Sequence, residues 1–390
     1  MQRITTADRR ARLALRHHLA PSAEAVTPAE AARGVVALHS TDPASVFLSI
    51  HARARQLAPE AIESALYSER SLIRLLGMRR TMFVVPTDLA PVIQAACTTA
   101  IAQQQRRRYC QLVTAAGVGD GAWLAELEDA AAAALTVRGE ATGAQLSVDV
   151  PQLRTPVVLA EGKAYQGVQN VTTWVLALLA ADGRIVRGRP RGSWTSTQYR
   201  WSPVETWLPG GIPERPVEAA RVELVRRWLA AFGPGTVADL RWWTGWTAAA
   251  VKQALVALAL TEVELDDGGT GLVLSADLEP APAPPPWVAL LPALDPTAMG
   301  WMDRSWYLGP HAAALFDRSG NIGPTVWSDG RIVGGWARRP SGGVVYRLLE
   351  DVGSAAASAV AAAAAEVADW IGTVRVTPRF RTPLERDLSR

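Results

Sequence analysis

The chain alternates helical and strand periodicities in a recurring order. Between residues 4 and 19, arginines interleave with Leu13, Leu15 and Leu19, which predicts an amphipathic helix. "TPAEAARGVVALH" opens on Thr27, with Pro28 at the first helical position and Glu30 at the third, the signature of a capping box. Ala31, Val35 and Leu38 follow at helical spacing, so this helix is predicted to run up to His39. "ASVFLSIHARARQL" predicts a second helix after Pro43. "APEAIESALYSERSLIRLLGMRR" predicts a third, and "TMFVVP" a short strand closed by Pro86. Helices followed by an apolar strand are the order of a winged helix.

The order recurs. "APVIQAACTTAIAQQQRRRYCQLV" predicts a long helix, and "GAWLAELEDAAAAALTVRGEATGAQLSVDVPQL" a helix, a turn at Gly139 and a short helix ending before Pro151. "NVTTWVLALLAADGRIVRGRPRGSWTSTQYRW" predicts a helix and a hairpin whose turn "GRPRG" carries Arg187, Arg189 and Arg191. A third copy has helices in "PVEAARVELVRRWLAAFG", "TVADLRWWTG" and "TAAAVKQALVALA", then a hairpin turning at "DDGGTG". The proline-rich "LEPAPAPPPW" reads as a connector. Short strands, an Ala-rich helix and a last strand "VRVTPRF" come after it. The expected fold class is α+β and mostly helical. Three tandem winged-helix units occupy 1–90, 91–210 and 211–279, and a small β domain occupies 287–390.

Composition narrows the classes. The 390 residues carry a net charge of +3, and 49% are hydrophobic, enough for large cores without metal or disulfide support. No apolar run is long enough to span a membrane, and the basic N-terminus lacks the apolar stretch of a secretory leader, so a cytoplasmic protein is expected. Cys97 and Cys110 have no CxxC or zinc spacing, so no metal and no cofactor are expected. There is no P-loop, no GxGxxG after a strand and no HExxH. Lys163 and Lys252 are the only lysines, so the basic residues are almost all arginine, the better bidentate partner of phosphate. Arg79 and Arg80 in "GMRRT", the hairpin arginines, and Arg338 and Arg339 in "WARR" are the candidate DNA contacts. Trp242, Trp243 and Trp246 read as core beside the third turn.

"HSTD" places His39, Ser40, Thr41 and Asp42 between an apolar run and Pro43. Local grammar reads it as a helix C-terminus followed by a turn and an N-cap. The same groups can do hydrolytic chemistry. An imidazole can orient or deprotonate water, hydroxyls can position it, and a carboxylate can act as base or stabilise a nearby cation.

"LHSTDPASVFLSIHAR", "RLLGMRRTMFVVP", "LVRRWLAAFGPGTVADLRWWTG", "LLPALDPTAMGW", "GPTVWSDGRIVGGWARR" and "VTPRF" resemble, collinearly, the AlkZ/YcaQ-like bacterial DNA glycosylases. The resemblance implies three winged-helix motifs around a DNA channel plus a β domain. It implies double-stranded DNA carrying an alkylated purine as partner, and hydrolysis of the N-glycosidic bond of bulky N7-alkylguanine, in repair or in self-resistance of antibiotic producers. The family's reactive motif, Gln–apolar–Gln/Asp, falls on His39, Ser40 and Thr41, and neither end residue matches. On this reading His39 and Thr41 hold the water and Asp42 is base or electrostatic stabiliser. Neither lysine lies near the motif in sequence, so a monofunctional enzyme is expected. The alternative is a winged-helix regulator or damage sensor that binds DNA without catalysis.

Overall fold

The computed structural model describes residues 1–390 apart from 161, 164 and 165. The chain opens with β1 (Gln2–Ile4), α1 (Thr6–Arg16) and α2 (Pro28–Gly34), then β2 (Leu38–His39), α3 (Pro43–His51), α4 (Pro59–Tyr67), β3 (Leu72–Gly77) and β4 (Thr81–Pro86). Thr27 caps α2 as expected, accepting from the Glu30 N–H at 3.1 Å. The helix stops short of its predicted end. At Gly34 a Cβ would stand 2.6 Å from the Arg16 carbonyl oxygen, and Val36 turns left-handed at φ 64°. The chain thereby swings out of the helix, and Leu38 and His39 pair with Val84 and Phe83 of β4. The third predicted helix also stops early, at Tyr67. Arg70 is left-handed, and "LIRLLG" joins β4 as an antiparallel strand in a sheet of order β2-β4-β3. Its near-continuous apolar run belongs to a strand covered on both faces, which periodicity alone does not distinguish from a buried helix.

The next stretch contains α5 (Ala90–Ile93), a π-helical turn at Gln94–Thr98, α6 (Thr99–Ala115), α7 (Gly121–Arg138) and α8 (Gly143–Asp149). It continues with β5 (Pro156–Leu159), β6 (Gly167–Asn170), α9 (Thr172–Ala181), β7 (Ile185–Pro190) and β8 (Tyr199–Pro203). Gly139 ends α7 at φ 71°, and a Thr142–Gln145 capping box starts α8. The β5–β6 hairpin has no counterpart in the sequence reading. These helices have their own core, centred on Leu124, Leu135, Trp174 and Leu178. The basic turn is displaced from its predicted place. Arg187 and Arg189 lie within β7, and the connection is residues 191–198. This loop is anchored by Trp194, which is buried and stacks on Phe47 of α3 at 4.9 Å.

Three further helices, α10 (Val217–Phe232), α11 (Val237–Thr244) and α12 (Ala248–Val256), lead to the hairpin β9 (Leu260–Leu265) and β10 (Thr270–Leu274). β1 runs parallel to β9, pairing Gln2–Ile4 with Val263–Leu265, and Ile4 completes a small core with Val263, Leu265 and Val273. Arg16 of α1 forks onto Asp277 at 2.6 and 2.8 Å. The N-terminus therefore sits with the third group of helices, because its single apolar strand residue finds its core there.

The C-terminal part contains β11 (Val288–Leu291), the short α13 (Ser305–Leu308) and α14 (Ala312–Leu315), β12 (Thr325–Ser328), β13 (Arg331–Arg338) and β14 (Val344–Leu348). Its four strands form an antiparallel sheet in sequence order, flanked by α15 (Gly353–Ile371) and α16 (Pro383–Leu388). "VRVTPRF" joins no ladder, contrary to expectation. A wholly buried Arg53–Asp295 pair at 2.8 Å, joined by Ser49 and Thr297, ties this part to α3. No helix among the described residues is long and apolar enough to cross a membrane.

Candidate functional site

Residues 39–42 leave the edge of the β2-β4-β3 sheet and start α3. Val36, a β-branched residue at positive φ, is a backbone outlier just upstream, of the kind that costs roughly 1–3 kcal/mol. It aims the chain into β2. His39 is therefore a strand residue, and the reading of its stretch as a helix C-terminus is corrected. Its ring meets Phe83 edge-on at 5.5 Å, and its Nδ1 is buried without a hydrogen bond among the described residues. Burial, reinforced by the Arg79 charge, pushes the imidazole down to about 3, so it is neutral at physiological pH. Ser40 donates its N–H to the Met82 carbonyl at 2.8 Å, while its hydroxyl is buried without a partner among the described residues.

Asp42 is the N-cap of α3. Its two carboxylate oxygens accept from the backbone N–H groups of Ala44 (3.1 Å) and Arg379 (3.0 Å). Burial raises its carboxyl above the ordinary range, and the two N–H donors only partly offset this. The Arg379 guanidinium returns to donate to the Thr41 carbonyl at 3.3 Å. One backbone donor of the "VRVTPRF" segment is thereby used by Asp42.

A pocket of about 470 Å³ opens over this loop. Ser40 and Thr41 line it, facing Tyr199 and three arginines: Arg187, Arg191 and Arg379. His39 and Asp42 are not on its wall. The four sequence-predicted residues thus separate into two that meet the pocket, one that packs on Phe83 and one that caps the helix behind. A second chamber of about 220 Å³ shares Arg187 and Trp201 with the first and is mostly apolar, with Gln105 and Tyr109 among its polar contacts.

The predicted arginines also divide. Arg79 and Arg80 occupy the β3–β4 tip, both exposed and both left-handed at φ 52° and 58°. Arg79 lies over the Trp242 ring at 4.1 Å, and Arg304 shares that ring at 4.8 Å. Trp243 is core, as read. Arg187 stacks near Tyr199 and Trp201, at 5.5 and 5.2 Å. Arg189 is occupied by an ion pair with Glu63. Arg338 is buried and donates to the Gly372 carbonyl, whereas Arg339 is exposed beside Arg375 and Arg381 in another pocket.

Sequence reasoning missed Tyr199, Arg379 and Arg74. Arg74 is 4% exposed and sits over Tyr199 at 4.5 Å, and among the described residues none of its three nitrogens finds a well-formed hydrogen bond. A lone charge inside the apolar "LIRLLG" was a legible signal. Arg379 lies in "VTPRF", a stretch read only as a strand and as part of the resemblance.

A hydroxyl-bearing loop end facing arginines that form no ion pair among the described residues, across an open cleft, is the equipment of a hydrolase acting on a phosphate-bearing polymer. The comparisons with known proteins specify the class. A family model, DNA glycosylase AlkZ-like, matches residues 32–370, and the chain belongs to this family; it is a DNA glycosylase. The fold is similar to that of Streptomyces sahachiroi DNA glycosylase AlkZ, with a TM-score of 0.72 and 20% identity over 96% of this chain and 99% of that one. A search of curated protein sequences returns no match.

Proposed function

We propose that this DNA glycosylase hydrolyses the N-glycosidic bond of bulky N7-alkylated guanine in double-stranded DNA, as a monofunctional, monomeric enzyme of the cytoplasm associated with the nucleoid. The single observation that carries the site assignment is Thr41, which lines the arginine-rich pocket and is followed in the chain by the buried, capped Asp42. N7 alkylation makes the base cationic and a good leaving group, so the protein needs chiefly to place water and stabilise an oxocarbenium-like sugar. Thr41 positions the water. Asp42, held by two N–H groups next to Thr41 in the chain, supplies negative charge near the site. Water adds to the anomeric carbon, the carbon–nitrogen bond breaks onto the departing neutral base, and the water proton passes to solvent. His39 stays neutral and sets the strand end; Ser40 lies beside Thr41. The apolar second chamber supports the bulky end of the substrate range.

We read the repeated groups of helices and hairpin as tandem winged helices around a DNA channel, with Arg79, Arg80 and Arg339 as outer phosphate contacts. An adjacent biosynthetic pathway for a DNA-alkylating product would favour self-resistance over general repair. The test is base release from a duplex carrying one N7-alkylguanine. Thr41→Ala and Asp42→Asn should each slow single-turnover release by about 10²-fold or more while leaving DNA binding within a few-fold. Unchanged release in both variants would remove them from the site.

A further inference from the structure

Three guanidiniums converge on the pocket above Thr41 from two separate parts of the chain. Arg187 comes from β7, Arg191 from the loop that follows it, and Arg379 from the C-terminal segment. Among the described residues none of the three forms an ion pair, in contrast to the neighbouring Arg189, which is held by Glu63. Arg379 spends one N–H on the Thr41 carbonyl, and its charge is felt at Arg187, as is that of the buried Arg74. The carboxylate at this loop, Asp42, accepts from backbone N–H groups rather than from any guanidinium. Positive charge is therefore gathered where the proposed reaction also develops positive charge on the sugar. Such an arrangement works against the reaction unless an anion enters with the substrate.

We propose that Arg187, Arg191 and Arg379 form a clamp for a single phosphodiester of the DNA strand, the one adjoining the damaged nucleoside. The proposal rests on the glycosylase reading for the identity of that nucleoside. Guanidinium forks match phosphate oxygens, and approach from two sides fixes the phosphate in position as well as in charge. The bound phosphate offsets the arginines, and its oxygens become the nearest counter-charge to the oxocarbenium after Asp42. Because Trp194 pins the 191–198 loop to α3 and Asp42 pins the Arg379 backbone, the clamp is assembled before DNA arrives. Arg379 is thus a positioning residue, acting through the phosphate and through the Thr41 carbonyl.

The experiment replaces the phosphates flanking the adducted guanosine, one at a time, by uncharged methylphosphonate. Binding and single-turnover release are measured for the full-length wild type, Arg379→Gln and Arg187→Gln. Arg379→Gln keeps the backbone N–H that caps Asp42, so α3 retains its N-cap. One position should weaken wild-type binding by about tenfold or more. The same replacement should cost Arg379→Gln and Arg187→Gln clearly less than it costs the wild type, by about threefold or more, because each variant meets that phosphate with two guanidiniums instead of three. Equal losses in wild type and both variants at every position would overturn the clamp. So would a wild type indifferent to methylphosphonate whose tryptophan fluorescence is instead saturated by inorganic phosphate in an Arg379-dependent way; that result assigns the pocket to a free anion. Position-specific binding loss together with no base release by the wild type would leave the clamp standing and sink the glycosylase reading.

Discussion

At the scale of single residues, the four polar groups after Leu38 have different duties although they are adjacent. Asp42 is an N-cap whose second oxygen holds a segment more than three hundred residues away in sequence. Asp42→Ala should therefore cost about 1–2 kcal/mol from the cap alone, read as a fall in Tm. Asp42→Asn keeps one acceptor oxygen for the cap but sets its amide NH2 against the second N–H, so it should lose stability as well, and activity is therefore compared at temperatures well below the Tm of both variants. The histidines supply a pH prediction. His17 and His39 are held near 3 and His51 near 4 by burial, against 6.5 in the unfolded chain. The unfolded state takes up protons first, so these groups favour folding fully above about pH 6.5 and lose that contribution as pH falls through the window down to 3–4. Each unit of difference is worth about 1.4 kcal/mol. Urea melts between pH 7 and 4.5 should show falling stability, and a flat profile would contradict the neutral buried imidazoles. A pH–rate profile should show no inflection near 6.5 from His39.

At the scale of elements, the helices of the second and third groups were legible, because caps such as Thr142, Thr236 and Thr247 and stops such as Gly139 and Gly245 are local. The misjudged segments are those in which distant pairing outweighs local pattern. Leu38–His39 and Leu72–Gly77 become strands because β4 lies between them, and "VRVTPRF" joins no ladder among the described residues, one of its backbone N–H groups going to Asp42. The address of the site could be read, but the orientation of its members could not: the strand packs His39 on Phe83, and the bend that follows the strand leaves Thr41 at the pocket. The 191–198 loop looked like a free basic tip, and one buried ring changes that. Trp194→Ala should detach it at a cost of about 3–5 kcal/mol, seen as lowered Tm and as new proteolytic cleavage within 191–198. Persistent protection of that loop would show that Trp194 is not its anchor.

At the scale of the whole molecule, the site is made by parts that must stay in place relative to one another. The Arg53–Asp295 pair, wholly buried and shared with Ser49 and Thr297, fixes the C-terminal sheet against α3, and with it the segment bearing Arg379. Asp295→Ala leaves an unpaired buried guanidinium and should destabilise by about 3–5 kcal/mol, measured by denaturant unfolding. At the outer surface, Arg79 and Arg80 hold strained backbone on an exposed hairpin, without ion pairs among the described residues. Replacing both by Gln should reduce the slope of log K against log salt by about 0.9 for each phosphate that the pair neutralises. An unchanged slope would take that hairpin out of the interface. The central claim is that N-glycosidic bond cleavage occurs over Thr41 and Asp42, and single-turnover base release from an N7-alkylguanine duplex tests it most directly. The wild type should release the base, and Thr41→Ala and Asp42→Asn should each be slower by about 10²-fold or more with DNA still bound. Release at wild-type rates by both variants would contradict it.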